Sequence, residues 1–337
     1  MAQLPSKTKS DSESATKTSP EDVPPKKCLD DFISALPTRE GWARPLIQYK
    51  KYWFNPVMLK HILLAEQAFV PRADDIILAA QPKSGTTWLK ALVFAIANRA
   101  RYSFSDHPLL TRHAQDVVPY IEIPGAGTGH SDIESSLPSP RILATHIPLS
   151  LLPPHTTTCG CRIVYLCRDP KDVLVSRLHF ENSFTKASNI SMDNAFSMFC
   201  EGFSPYGPLW DHCREYWEAS LVRPNHIIFL KYEEIKADPV QVVRKLATFL
   251  GIPLTQEEES SGVAQEVARL CSFEMLTSLQ VSKVGVTHHV GNEVYVRSSS
   301  FYRKGKVGDW ANHMSQEMGE KLDAIVEEKL KGSGLVF

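Results

Sequence analysis

The chain has 337 residues, 43% hydrophobic and 22% charged, with a formal net charge of −1. That apolar content supports a real core, and the length allows one large α/β domain or two small ones. A charge near zero argues against nucleic acid or a membrane surface as partner, and no apolar run approaches a bilayer span. The seven cysteines are odd in number and scattered through apolar segments, which points to free thiols in a reducing cytosol. Cys159-Gly160-Cys161 is the one close pair, and without a second Cys or His pair at ligand spacing no metal site is expected.

Residues 1–28 are mostly Ser, Thr, Lys, Pro, Asp and Glu, a composition that predicts a disordered tail. Asp11, Glu13, Glu21 and Asp22 argue against an organelle transit peptide, and no apolar segment supports secretion, so a cytoplasmic location is expected. Residues 29–337 are read as one domain, opening with a short helix at Asp30-Asp31-Phe32-Ile33. The aromatic-dense stretch at Gly41-Trp42 and Tyr49–Phe54 reads either as strand and turn packed on the core or as the lining of a ligand pocket.

Ile76 to Ala80 is a β-branched apolar run that reads as a buried strand, followed by a turn with Pro82 and Gly85 as breakers. Leu89, Leu92, Val93 and Ile96 then recur at helical spacing. The turn therefore presents the amides of Gly85, Thr86 and Thr87 at a helix N-terminus, with Lys83 at its mouth. Free N–H groups and the positive end of the helix dipole make that an anion site. It differs from the triphosphatase pattern, in which Lys follows the last Gly and a Ser/Thr takes Mg²⁺.

Residues 102–140 have weak periodicity and many Pro and Gly breakers, predicting a long irregular loop. Its Leu109, Val117, Val118, Tyr120 and Ile121 suit the cover of a small organic molecule. Arg141–Pro148 reads as a strand ending at a turn, with His146 where it opens toward a site. Cys161–Cys167 is a second continuous apolar strand, as in a parallel sheet covered on both faces. It runs into Arg168, then a helix with Asp169 as N-cap and Pro170 at its first position. Arg168 and Ser176 thus leave a strand end and the following helix, where open α/β sheets bind ligands. His226–Leu230 is a third strand, and Val240–Leu250 a helix closed by Gly251. Glu257-Glu258-Glu259 reads as a solvated helix start, and Leu270–Ser282 as helix and loop. Val284–Ser300 is polar and Gly-rich and reads as a mobile lid. It leads into Phe301–Trp310, whose basic cluster with two glycines can wrap a phosphate. Met318–Leu330 closes the chain as an amphipathic helix. Strands alternating with helices predict an α/β fold: a single domain with a central parallel sheet flanked by helices.

Pro82-Lys83-Ser84-Gly85-Thr86-Thr87-Trp88-Leu89 resembles the 5′-phosphosulfate loop of the cytosolic sulfotransferases, and the likeness runs from about Leu29 to Phe337. It is nearest the plant branch, through Ala144–Pro148, Leu270–Glu274 and Lys331–Leu335. The resemblance implies the donor 3′-phosphoadenosine 5′-phosphosulfate, no required metal, and a small hydroxylated acceptor such as a plant secondary metabolite or hormone. It implies that Lys83, Ser84, Gly85, Thr86, Thr87 and Trp88 hold the phosphosulfate, and that Trp88 and Phe273 flank the adenine. Arg168, Ser176, Arg303, Lys304 and Gly305 would take the 3′-phosphate and Tyr232 the adenosine. His146 would be the catalytic base, with Lys83 on the leaving oxygen. Many animal members carry a Lys two residues before the base, where this chain has Ala144. Their C-terminal dimer motif is replaced at residues 311–320, with Glu320 retained, so a monomer or weak homodimer is implied. The alternatives are an ATP-dependent small-molecule kinase, which would need Mg²⁺, and a non-catalytic nucleotide-binding protein of the same fold.

Overall fold

The computed structural model describes residues 25–123, 137–184, 189–289 and 294–337. Most of the tail expected to be disordered lies outside these, but Lys26–Cys28 form a 3₁₀ turn that runs into the helix Leu29–Ser34. Leu29 and Ile33 are buried there, and Lys60 from the helix Pro56–Ala68 pairs with Asp30 at 2.7 Å.

Strands β1 (Thr38–Arg39), β2 (Leu46–Tyr49) and β3 (Tyr52–Phe54) form a small antiparallel sheet. Tyr49, Tyr52 and Phe54 are buried in a core cluster, which decides for the packing reading of those aromatics. The central sheet holds β4 (Ile76–Ala80), β5 (Ile142–Thr145), β6 (Arg162–Cys167) and β7 (Ile227–Lys231) in the order β5-β4-β6-β7, every pair parallel. Side chains alternate between its faces. Ile77, Ala79, Ile163 and Tyr165 join one core cluster, while Ile76, Leu78, Ala80, Val164 and Leu166 join another. Both faces are thus apolar, which is why these strands read as unbroken hydrophobic runs.

From β4 the chain crosses to β5 on one side and then to β6 on the other. The strand order reverses around β4, and the crevice at such a reversal is where open α/β sheets take ligands. The segments that follow β4, β5, β6 and β7 carry Lys83, His146, Arg168 and Tyr232. Topology thus brings together residues far apart in sequence.

Two expectations change in detail. The segment read as a mobile lid contains a hairpin of β8 (Val286–His289) and β9 (Val294–Arg297), its tip lying outside the described residues. The β-branched Val286, Thr287, Val294 and Val296 give the polar segment enough strand preference to pair. In the long loop, Leu109, Val118 and Ile121 are core residues, Val117 packs against the core, and Tyr120 faces a cavity. Residues 124–136 of that loop lie outside the described residues.

Candidate active site

The loop after β4 is built to expose backbone amides. Lys83 and Gly85 both adopt positive φ, 77° and 109°, turning successive N–H groups toward one side before the helix Thr86–Asn98 begins. A Cβ at Gly85 would lie 2.8 Å from Tyr232 Cδ2, so both conformation and close approach require glycine.

A cavity of ≈ 140 Å³ opens over this loop. Lys83, Gly85, Thr86, Thr87 and Trp88 line it on one side, with Arg168, Ser176, Tyr232, Phe273, Arg303, Lys304 and Gly305 around it. Every residue picked from the sequence is there except Ser84, whose place in the loop is buried. Sequence reasoning missed Gln115, Phe180, Lys236, Leu276, Phe301 and Tyr302. Phe301 and Tyr302 carried a signal, being next to the basic cluster; Gln115 and Phe180 had none outside their fold context.

The polar atoms of this cavity fit an anionic, aromatic ligand. Among the described residues, Thr86 Oγ1, Trp88 Nε1 and Arg168 Nε are buried without a hydrogen-bond partner, as is Ser84 Oγ. Buried polar groups are normally satisfied, so such a cluster marks a place where a ligand completes the bonding. Arg168 is fixed by Asp172 at 3.0 Å, by the Lys306 carbonyl at 2.7 Å, and by the Tyr232 ring at 4.4 Å. Asp172 also accepts the Gly308 and Trp310 amides, which docks the basic loop onto the helix Pro170–Phe184. That helix is capped as the sequence suggests, Asp169 accepting the Lys171 amide at 2.8 Å. Arg303 and Lys304 both pair with Asp309, which holds them at the rim. Gly305 has φ 61°, and a Cβ there would collide with the Phe273 ring at 2.4 Å.

A second cavity, of ≈ 190 Å³, is largely apolar and meets the first at Pro82, Tyr120, His146, Phe180 and Phe301. Ala43, Arg44, Leu46 and Asn55, the neighbours of the aromatic stretch, line it with Met58, Tyr206 and Val296. Arg177 and Glu181 form a buried pair on its wall at 3.3 Å.

His146 stands at the junction. Its ring Nδ1 is 2.6 Å from the Ala80 carbonyl. A carbonyl can only accept, so Nδ1 carries the hydrogen and Nε2 keeps the lone pair. Burial holds the imidazole well below its ordinary pKa, and it is neutral at physiological pH. The His146 amide donates to Glu122 Oε1 at 2.7 Å, and burial raises that carboxyl to about 7. Lys83 Nζ lies 3.9 Å from the centre of the Phe180 ring. Removal from water lowers its ammonium to about 7, with Arg177 adding to the drop and Glu181 opposing it. Among the described residues no group of three or more His, Cys, Asp or Glu is placed to hold a metal ion, and no helix is long and apolar enough to cross a membrane.

The parallel sheet and amide-lined turn define a phosphate-loop α/β protein. The sequence model of the sulfotransferase domain matches residues 73–334. Cytosolic sulfotransferase 16 of Arabidopsis thaliana is 43% identical over 316 residues, covering 92% of each chain. Cytosolic sulfotransferase 1 of the same plant is 42% identical over 314 residues, 91% of this chain and 93% of that one. Among solved structures, an Arabidopsis thaliana sulphotransferase superposes with a TM-score of 0.71 at 35% identity, covering 91% of this chain and 94% of the other. A mouse sulfotransferase complexed with PAP gives 0.66 at 26% identity, with 86% and 95% covered. The chain belongs to the sulfotransferase family and is an enzyme of sulfuryl transfer.

Proposed function

We propose that this sulfotransferase uses 3′-phosphoadenosine 5′-phosphosulfate as donor and a hydroxyl of a small organic acceptor as target, with His146 as general base. The observation that carries this reading is His146 at the meeting of the two cavities, its Nδ1–H committed to Ala80 and its Nε2 free to take a proton. The donor supplies an activated sulfuryl group on a good leaving phosphate. Gly85, Thr86 and Thr87 offer amides and hydroxyls to its 5′ end, and Lys83 adds a cation there. Trp88 and Phe273 offer ring faces for the adenine and Tyr232 a contact for the adenosine. Arg168, Ser176, Arg303, Lys304 and Gly305 surround the 3′ end. The acceptor cavity orients an apolar body so that its hydroxyl reaches His146, which takes the proton as the oxygen becomes nucleophilic. An acceptor with an apolar skeleton and one exposed hydroxyl, as in many plant metabolites and hormones, fits this lining. The relatives are named cytosolic, which supports a cytoplasmic enzyme, and we read the chain from residue 29 as one domain acting as a monomer or weak homodimer.

The test is transfer of labelled sulfate from the donor to a panel of hydroxylated acceptors, with and without chelator. Transfer that survives chelation is expected. Transfer abolished by chelator and restored by Mg²⁺, or phosphate transfer from ATP instead, would overturn the reading.

A further inference from the structure

Lys90 lies on the helix that follows the phosphate loop, one turn after Thr86 and Thr87, and it touches neither cavity. It is fully buried, on a helix whose Leu89, Ala91, Leu92 and Val93 are buried as well. An ammonium in such a place must be compensated. Its Nζ is 2.5 Å from Gln115 Oε1 and 3.4 Å from the centre of the Tyr120 ring; burial lowers its pKa well below the ordinary value, and Glu122 and Asp116 oppose that drop. The Gln115 backbone is itself held, its main-chain N–H donating to His113 Nδ1 at 3.2 Å.

We propose that Lys90 is a positioning residue that sets the direction of a hydrogen-bond relay, Lys90 to Gln115 to Thr87, and so presents the Thr87 hydroxyl as a donor to the 5′ end of the bound nucleotide. The logic follows from which groups can donate. Gln115 turns its carbonyl oxygen to Lys90 Nζ, the orientation that a protonated amine, with three donors and no acceptor, enforces. The Gln115 NH₂ then faces the other way and donates to Thr87 Oγ1 at 2.9 Å. Because that oxygen accepts from Gln115, the Thr87 hydrogen is left for another partner, and Thr87 lines the cavity beside the loop amides. Without the ammonium the Gln115 amide can turn over. Its carbonyl would then take the Thr87 proton, and the anion would meet a lone pair where it had met a donor. Lys90 thus acts on the ligand through two neutral side chains.

The proposal rests on the reading that this cavity holds the 5′-phosphosulfate end of the donor, and the test separates the two. Lys90→Met keeps the length and removes the donors. Calorimetry compares adenosine 3′,5′-bisphosphate with adenosine 3′-monophosphate, which has no 5′ anion, in wild type, Lys90→Met, Thr87→Val and the double variant. We expect Lys90→Met to weaken the bisphosphate about tenfold and the monophosphate less than about twofold. In the Thr87→Val background the Lys90 change should add less than about twofold, since its target is gone. A structural role alone would weaken both nucleotides alike, or persist undiminished beside Thr87→Val; either result overturns the relay. If thermal unfolding shows that Lys90→Met does not fold, Gln115→Leu breaks the relay at its middle and carries the same expectations. Wild type that binds the bisphosphate no better than the monophosphate overturns the donor reading and the relay with it. Tight wild-type binding that Lys90→Met leaves unchanged overturns the relay alone.

Discussion

Raising the pH should discharge Lys83 in the free enzyme long before any arginine of the cavity loses its proton. Burial brings the Lys83 ammonium down to about 7 from an ordinary 10.5. About half of the free enzyme then carries the charge at pH 7 and about one molecule in a hundred at pH 9. If the charged form is the one that engages the 5′-phosphate, the apparent Kd of adenosine 3′,5′-bisphosphate rises about 50-fold across that interval. Phosphate's second ionisation, near pH 6, is nearly complete by pH 7 and contributes little to the trend. The sign is fixed by linkage: an anion beside Lys83 favours the ammonium, so binding above pH 7 takes up a proton. The unfolded chain holds this proton up to its ordinary value, so Lys83 makes the ligand-free fold more stable as pH rises between the two values. Calorimetry at pH 7, 8 and 9, in buffers of different ionisation enthalpy, measures both Kd and proton uptake. Lys83→Met should weaken binding and flatten its pH dependence. A wild-type Kd constant over this range, or the same slope in Lys83→Met, would refute the assignment.

Arg303→Ala should weaken the bisphosphate about tenfold, the lower end for a charge-assisted bond, because Arg303 must share itself with Asp309. Adenosine 5′-monophosphate should bind the variant as it binds wild type; equal weakening of both would remove Arg303 from the 3′ end. Amides from Ser298 to Gly305, which carry Phe301 and Arg303 at the cavity, should gain hydrogen-exchange protection when the bisphosphate binds. Equal protection in the two states would end that idea.

The elements of the site were legible because each has a local cause. Pro82 and Gly85 punctuate the loop, β-branched runs mark the strands, and Asp169-Pro170 announces a helix. What sequence reasoning could not supply is the company these elements keep. Neither Lys90 nor Gln115 carried a signal in the sequence; their contacts with each other and with Thr87 arise only because the loop packs on the helix. Glu122 gave no sign of its bond to the His146 amide. Tyr120 and Glu122 reach that place through a short bridge to β5, in which the Ile121 and Ala144 amides donate to the Ala144 and Pro119 carbonyls. The β8–β9 pairing inside the segment read as a lid was not legible, because its polar, Gly-rich composition outweighed the strand preference of a few valines.

The central claim is that His146 removes the acceptor proton while taking no part in holding the nucleotide. Single-turnover transfer of labelled sulfate, measured beside bisphosphate binding in wild type and His146→Ala, tests it most directly. The variant should lose about 10²–10⁴-fold in transfer rate, with the bisphosphate Kd changed less than about twofold. Transfer within about tenfold of wild type would place the base elsewhere, and a matching loss of nucleotide affinity would make His146 a binding residue instead.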